Sequence, residues 1–338
     1  MIKVPKQQFA KCDVIYTEQV GYRLGKENFL NLRSDRVVAR FKHAIFIYNA
    51  NAGQKDISRT LRICVPILSS AIDELLLLKT DRPGHAQLLC SEYGEHTDLV
   101  VILGGDGTVH ECVNGLASLA KRPAIAILPG GTCNDISRTL NMPQDIRQAA
   151  ETVVSGKLVP LDAMDINGHC ALNFWGVGLV TEVSNNIKDS EKALLGKVSY
   201  YLSAIRTMRE MEPFSYTVQC DGKLYEGEAV MVLAANGRYI GTNELPFRNI
   251  HADDGKANVF IIKNTNLALM KEVFTLDITL EEDSASEVLH CSGSEIVIQT
   301  ESKMEADMDG EVYLETPAHI RVLKHHFFAI VPSSGSLG

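Results

Sequence analysis

Two glycine-rich turns are where the residue types of this chain first suggest chemistry. Gly104-Gly105-Asp106-Gly107-Thr108 follows the apolar run Leu99-Val100-Val101-Ile102-Leu103. Pro129-Gly130-Gly131-Thr132-Cys133-Asn134-Asp135 follows Ala124-Ile125-Ala126-Ile127-Leu128. Glycines let backbone N–H groups approach a phosphate and take positive φ, and a turn that hands a strand to a helix aims those groups at an anion. Asp106 offers a carboxylate to a divalent cation that accompanies phosphates, and Thr108 offers a hydroxyl. Asn134 or Asp135 could equally cap the helix that follows. Arg138, one turn on, suits a phosphate as well as it suits a surface ion pair.

Two further segments are weaker signals. Asn49-Ala50-Asn51-Ala52-Gly53 is loop chemistry after a short apolar run, with Lys55 close behind. Asp307-Met308-Asp309-Gly310-Glu311 reads as a hairpin turn with surface acids, or as carboxylates presented to take a proton from a hydroxyl.

The elements that must position these residues alternate in the first half. Ala44–Tyr48, Leu75–Leu78, Leu99–Leu103 and Ala124–Leu128 are strand candidates. Helix candidates fall between and after them, over 57–73 with a break at Pro66, then 83–93, 109–119, 134–140 and 146–154. Strands with continuous apolar runs between helices imply a parallel α/β sheet. The pattern changes near Leu158. Strand candidates follow at 159–166, 170–177, 214–220, 229–235, 257–262, 295–299 and 320–323, with only 192–211 and 267–276 helical. Asn167-Gly168, Asp221-Gly222 and Asp309-Gly310 are hairpin signals, so this half is expected to be an antiparallel β-sandwich.

With 338 residues, the chain is expected to hold about two domains at roughly 150 residues each. Its 45% hydrophobic and 22% charged content excludes a disordered or collagen-like chain. The expected organisation is an N-terminal extension over 1–42, an α/β nucleotide-binding domain over 43–157 and a β-sandwich over 158–324. The chain end, 325–338, is a candidate to return to the first domain. The net charge of −9 argues against nucleic acid as a partner. That charge is uneven, because residues 1–62 hold twelve Lys/Arg against five acids. This basic stretch is either an ordinary solvated surface or a face for phosphates or an anionic membrane. The eight cysteines form no CxxC pair and read as reduced thiols of a cytoplasmic chain. No apolar run reaches the ~18 residues of a membrane span.

Taken together, Gly-Gly-Asp-Gly-Thr-Val-His-Glu-Cys-Val-Asn-Gly-Leu and Pro-Gly-Gly-Thr-Cys-Asn-Asp-Ile-Ser-Arg resemble the diacylglycerol kinase catalytic family, which includes soluble bacterial lipid kinases and the sphingosine and ceramide kinases. The resemblance runs from about residue 43 to 332. Asn236-Gly237-Arg238, Asp253-Asp254-Gly255 and Asp309-Gly310-Glu311 resemble later segments of the same family. Gly-Gly-Asp-Gly-Thr also occurs in NAD kinases and phosphofructokinases. The resemblance implies a nucleotide-binding α/β domain followed by a β-sandwich.

The same resemblance implies roles. Asn49, Asn51, Gly53, Thr80, Gly104, Gly105, Asp106, Gly107, Thr108, His110, Gly131, Thr132 and Asn134 would line an ATP site. Asp106, Asp135 and Asp162 would form the acid network around a catalytic Mg²⁺. Asp309 or Glu311 would be the base that activates a lipid hydroxyl. Asp254, with the main-chain carbonyls of His251 and Lys256, would hold a second, structural Mg²⁺. The implied activity is ATP-dependent phosphorylation of a lipid, first of all diacylglycerol to phosphatidic acid, in phospholipid biosynthesis. The implied partners are a lipid substrate at a membrane surface and a second copy of the chain in a homodimer. The alternatives are an NAD kinase-like enzyme with a soluble acceptor and a nucleotide-binding regulator without turnover. The sequence departs from the family at Asn49-Ala50-Asn51, where Asn-Pro is usual, and at Gly241-Thr242-Asn243, where three glycines are usual.

Overall fold

The structure is a computed structural model that describes residues 13–16, 40–49, 56–178, 212–245, 247, 250–264 and 288–334. The expected helices over 192–211 and 267–276, and Asn51 and Gly53, lie outside the described residues. The chain divides into two compact units. The first comprises Met1–Gly131, Met142–Leu158 and Ala329–Ser334, and the second comprises Thr132–Asn141, Val159–Phe328 and Gly335–Gly338.

The elements begin with β1 (Asp13–Tyr16), β2 (Phe41–Asn49), α1 (Ile57–Leu68), β3 (Ile72–Thr80), α2 (His85–Tyr93), β4 (Leu99–Gly104), α3 (Asp106–Ala117), β5 (Ala124–Pro129), α4 (Asp135–Thr139) and α5 (Ile146–Ser155). In the first unit the strands run in the order β1-β3-β2-β4-β5, every neighbouring pair parallel. Ala329, near the chain end, pairs in parallel with Ile125 beyond β5. The strand order reverses at β2: the chain goes one way to β3, then back past β2 to β4 and β5. Right-handed crossovers then require α1 on one face and α2 with α3 on the other. The observed packing agrees, with α1 against α5 and α2 against α3. All six residues of β4 are buried, which is why it reads as an unbroken apolar run.

Local chemistry sets the helix ends. Asp56 Oδ1 accepts the N–H groups of Ser58 and Arg59 to start α1, and Asp145 Oδ1 accepts those of Arg147 and Gln148 to start α5. Helix α2 starts at Gly84, which has no capping side chain of its own. Glu111 of α3 supplies the cap, accepting Gly84 N–H at 2.8 Å and Ala86 N–H at 3.1 Å.

Three sequence expectations are corrected here. Helix α1 runs unbroken to Leu68 with Pro66 inside it, because a proline in the last turn forfeits only one backbone bond. Residues up to Asp73 are not helical, since β3 already begins at Ile72. Helix α3 starts at Asp106 rather than Val109, so Gly107 and Thr108 are helical rather than part of a loop.

The second unit is built from strands. They are β6 (Lys157–Ile166, whose first two residues belong to the first unit), β7 (His169–Ala171), β8 (Phe174–Gly178), β9 (Phe214–Cys220), β10 (Lys223–Ala229), β11 (Met231–Ala235), β12 (Tyr239–Ile240), β13 (Asn243–Glu244), β14 (Ala257–Ile262), β15 (Val288–Gly293), β16 (Glu295–Thr300), β17 (Glu305–Met308), β18 (Glu311–Glu315) and β19 (Ala318–Val331, whose last three residues belong to the first unit). One sheet pairs β19-β16-β9-β10 antiparallel, with β6 on β19 and β7 on β6. The other runs β15-β14-β11-β8-β17-β18, antiparallel throughout. The three predicted hairpin dipeptides all form tight turns with both residues at positive φ: Asn167-Gly168, Asp221-Gly222 and Asp309-Gly310.

A shared core holds Trp175, Val177, Val218, Val232, Ala234, Val259, Ile261, Ile296 and Ile320. The alternate residues of the six-stranded sheet are also buried, in a second cluster with Phe174, Leu233, Ala235, Phe260 and Phe247. Phe247 stacks on Phe260 with ring centroids 3.7 Å apart. A sheet covered on both faces explains why β8, β11 and β14 lack polar alternation. Strand candidate 320–323 proves to be part of a fourteen-residue strand, β19, whose basic stretch Lys324-His325-His326 hid its continuation.

Candidate active site

In the first unit the site residues gather at the carboxyl ends of the strands, beside the point where strand order reverses. Ligands in open α/β sheets bind at this position. Asn49 ends β2 directly opposite Thr80, which ends β3. Thr80 is buried, and its hydroxyl points to the Tyr48 carbonyl at 3.5 Å. Gly104 ends β4 opposite Pro129, which ends β5, and Gly130 N–H donates to the Gly104 carbonyl at 2.9 Å.

The glycines serve close approach, not the positive φ expected for them. Gly105 is extended at φ −90° and ψ −173°, and Gly104, Gly107, Gly130 and Gly131 are not among the positive-φ glycines. A Cβ on Gly104 would lie 2.5 Å from the Thr108 Cβ, one on Gly105 would lie 3.1 Å from the Gly131 Cα, and one on Gly130 would lie 3.0 Å from the Gly104 Cα and N. The two turns therefore touch backbone to backbone. Asp106 opens α3 behind Gly105, which offers no capping side chain. A carboxylate there is favoured by the helix dipole.

Gly130→Ala tests this contact. The new methyl meets backbone atoms that cannot rotate away. We expect a loss of about 1–3 kcal/mol, seen as a lower urea midpoint with an unchanged slope.

In the second unit Asn134 stands in the left-handed region at φ 56° and makes no side-chain cap. Asp135 is the first residue of α4. Its carboxylate accepts Gly241 N–H at 2.6 Å and Thr242 N–H at 2.8 Å. Gly241 and Thr242 both have positive φ, 58° and 73°, so their successive N–H groups form a small anion-holding nest. Arg138 Nε donates to the Cys133 carbonyl at 2.8 Å, and its guanidinium charge acts on the Asp135 carboxylate.

Asp309 is only 7% exposed, so the surface-acid reading of its turn does not hold. Its carboxylate accepts three backbone N–H groups, from Leu172 at 3.0 Å, Asn173 at 2.9 Å and Phe174 at 3.0 Å. This is why the expected strand over 170–177 splits into β7 and β8: Leu172 and Asn173 turn their amides to Asp309. Asp307 is fully buried and accepts Gly310 N–H, closing the hairpin. Glu311 begins β18, paired with Met308.

Asp162 is also fully buried. It accepts Gly255 N–H at 2.5 Å and His325 N–H at 2.6 Å. It therefore ties the Asp253-Asp254-Gly255 turn to β19. Asp254 accepts Lys256 N–H at 2.9 Å, and its carbonyl accepts Lys324 Nζ at 3.3 Å. The structure thus brings Asp135 under the influence of the Asp309 charge, and Asp162 under that of Asp254.

Two asparagines join these groups and were not singled out from the sequence as site residues. Asn236 Nδ2 donates to the carbonyls of Leu172 at 2.7 Å and Asp162 at 3.2 Å, and Asn173 Nδ2 donates to the Tyr239 carbonyl at 2.7 Å. The N–H groups of Asn236 and Gly237 both donate to the Asn173 carbonyl. A Cβ on Gly237 would overlap the Asn173 amide oxygen, so glycine is required there. The sequence signal for Asn236 is Asn-Gly directly after an apolar strand. Asn173 carries no such mark.

Burial pushes the carboxyls of Asp135 and Asp162 above the usual carboxylate range, against the pull of the backbone N–H groups each accepts. In the window between the ordinary carboxylate pKa and the raised folded value, the folded state keeps a proton that the unfolded state has released. Stability therefore falls as pH rises through that window. In metal-free buffer, the urea midpoint should rise as pH drops toward it, and Asp162→Asn should flatten that slope.

Comparison with known proteins places this geometry. Residues 43–166 match the diacylglycerol kinase catalytic domain, and residues 176–331 match the YegS C-terminal NAD kinase beta sandwich-like domain. The chain is 33% identical over 290 residues to a Staphylococcus aureus (strain N315) protein named "Putative lipid kinase SA0681", covering 84% of this chain and 95% of that one. Among solved structures, a protein of Bacillus anthracis str. Sterne described as "a putative diacylglycerol kinase" is 42% identical with a TM-score of 0.80, covering 88% of this chain and 99% of that one. Another, described as a diacylglycerol kinase from the same strain, is 41% identical with a TM-score of 0.75, covering 87% and 98%. No helix among the described residues is long and apolar enough to cross a membrane. On sequence and fold together, the chain belongs to the lipid kinase family defined by the diacylglycerol kinase catalytic domain.

Proposed function

We propose that this kinase transfers the γ-phosphoryl group of ATP to a lipid hydroxyl, with diacylglycerol as the acceptor and phosphatidic acid as the product. The observation that carries this reading is the backbone-to-backbone contact of the two glycine turns at the carboxyl ends of β4 and β5, where a side chain on Gly105 or Gly130 would press the turns apart. Asn49, Thr80, Gly104, Gly105, Gly107, Thr108, Gly131, Thr132 and Asn134 hold the nucleotide in this proposal.

Phosphoryl transfer needs positioning and charge neutralisation more than covalent help from the protein. Asp106 and Asp135 offer hard carboxylate oxygens, a donor type that suits Mg²⁺, and Mg²⁺ would supply neutralisation of the phosphate charge. Asp254, with the carbonyls of His251 and Lys256, offers the same donor type for a second, structural Mg²⁺. Asp162 fixes the turn that carries Asp254. Asp309 or Glu311 takes the hydroxyl proton. Asp309 is held in place by three amides before any substrate arrives, so its position costs no reorganisation on binding. The acceptor lies in a bilayer, so the enzyme works against a membrane surface.

The test is incubation of purified protein with labelled ATP, Mg²⁺ and mixed micelles carrying diacylglycerol, sphingosine, ceramide or monoacylglycerol, with NAD in a separate tube. Label in the organic phase of the diacylglycerol tube is the expected result. Label on NAD alone would replace it with the second reading, a soluble-acceptor kinase. The match of residues 176–331 to an NAD kinase-like sandwich is what keeps that reading in view.

A further inference from the structure

We propose that Cys220 and Cys291 are a redox-modification site, which hydrogen peroxide converts to a disulfide joining the two sheets of the second unit. Cys220 ends β9 in one sheet, and Cys291 lies in β15, the edge strand of the other. Side chains two apart on a strand share a face, so Cys291 points the same way as position 293. A Cβ on Gly293 would lie 2.7 Å from the Cys220 sulfur, so this face of β15 looks directly onto Cys220. The glycine leaves the gap, and the Cys291 and Cys220 thiols hydrogen-bond to each other there.

The surroundings favour reaction. The hydrogen bond from Cys291, aided by the Lys256 and Lys223 ammonium groups, holds the Cys220 thiol below its ordinary pKa despite burial and despite Asp221 next to it. The Tyr225 hydroxyl also bonds to Cys291. Cys220 is buried, whereas Cys291 is partly exposed and gives a small oxidant its way in. Cys90 and Cys112 also hydrogen-bond to each other in the first unit, but both are completely buried and burial pushes the Cys112 thiol well up. They form an internal control that should stay reduced.

The chemistry balances. The Cys220 thiolate attacks the peroxide O–O bond, an S–O bond forms, and the departing hydroxide takes a proton to leave as water. The Cys291 sulfur then attacks the Cys220 sulfenic acid. The S–S bond forms, the S–O bond breaks, and the hydroxyl leaves with the Cys291 proton as a second water. Two thiols give up two electrons and two protons, and peroxide is reduced to two waters.

The experiment treats the full chain with hydrogen peroxide, alkylates the remaining thiols, digests and maps the peptides by mass. It needs no enzymatic readout and is independent of the proposed function. Two of the eight thiols should disappear into one cross-linked peptide pair holding Cys220 and Cys291. The unfolding midpoint should rise by several degrees and return after reduction with dithiothreitol. Cys291→Ser should abolish both changes, and Cys90→Ser should leave them intact. Should Cys291→Ser fold poorly, the peptide map of the wild-type chain decides alone. Full alkylation of both cysteines after peroxide, or a cross-link to any other cysteine, overturns the proposal.

Discussion

Asp106→Ala should lower phosphoryl transfer by on the order of 10²–10³-fold or more while leaving the protein folded. The two halves of that expectation come from different physics. Asp106 is the first residue of α3, half-buried and behind an extended Gly105. Alanine is the best helix former, so α3 should persist, and the lost charge–dipole attraction costs only about 0.3–1 kcal/mol. The activity loss is large if Asp106 stands beside the phosphates, as in the proposed function, because its carboxylate would then organise their charge. Parallel measurements of the urea midpoint and of labelled phosphatidic acid separate the effects. Wild-type turnover in this variant would remove Asp106 from the machinery, and a collapsed midpoint would make it a structural residue instead.

Asp309→Ala should have the largest effect on stability. Three buried N–H groups, of Leu172, Asn173 and Phe174, would lose their acceptor together. Each orphaned amide costs about 1–3 kcal/mol, so the variant should lose roughly 3–9 kcal/mol, a large part of the 5–15 kcal/mol that holds a typical domain. Alanine also pays for the left-handed backbone at φ 56°. Asparagine tolerates that conformation and keeps one acceptor oxygen, so Asp309→Asn should fall between. Denaturant titration of the two variants gives both numbers. A loss under about 1 kcal/mol for alanine would mean that the clamp contributes little, and would leave proton transfer as the reason for the acid.

Much of this was legible because the signals are local. Continuous apolar runs followed by glycine turns identify parallel strands and their carboxyl ends. Asn-Gly and Asp-Gly located all three tight turns. What the sequence hid was long-range. Nothing near Asp309 announces that its carboxylate reaches back to Leu172–Phe174, so the turn read equally well as a surface feature. Nothing near Gly130 says that its neighbour is Gly104, so its glycine suggested unusual torsions when the true constraint is contact. Pro66 looked like a helix breaker because its position relative to the helix end was unknown. Thr242 is the clearest departure. A β-branched residue sits at φ 73° where glycine would be at ease, held there by the bond from its N–H to Asp135.

The two-sided burial of the six-stranded sheet bears on how the gene can drift. In β10, five of seven positions are exposed, and substitutions there face only water. In β11, Val232 and Ala234 face the sandwich core while Met231, Leu233 and Ala235 face the Phe260 cluster, so every position is committed. A single-base change that introduces a charge anywhere in Met231–Ala235 buries it on one side or the other. Such a segment can exchange one apolar residue for another of similar volume, but it has no silent face. Over many generations the five exposed positions of β10 can wander, and β11 can move only by small, paired steps with the residues packed against it.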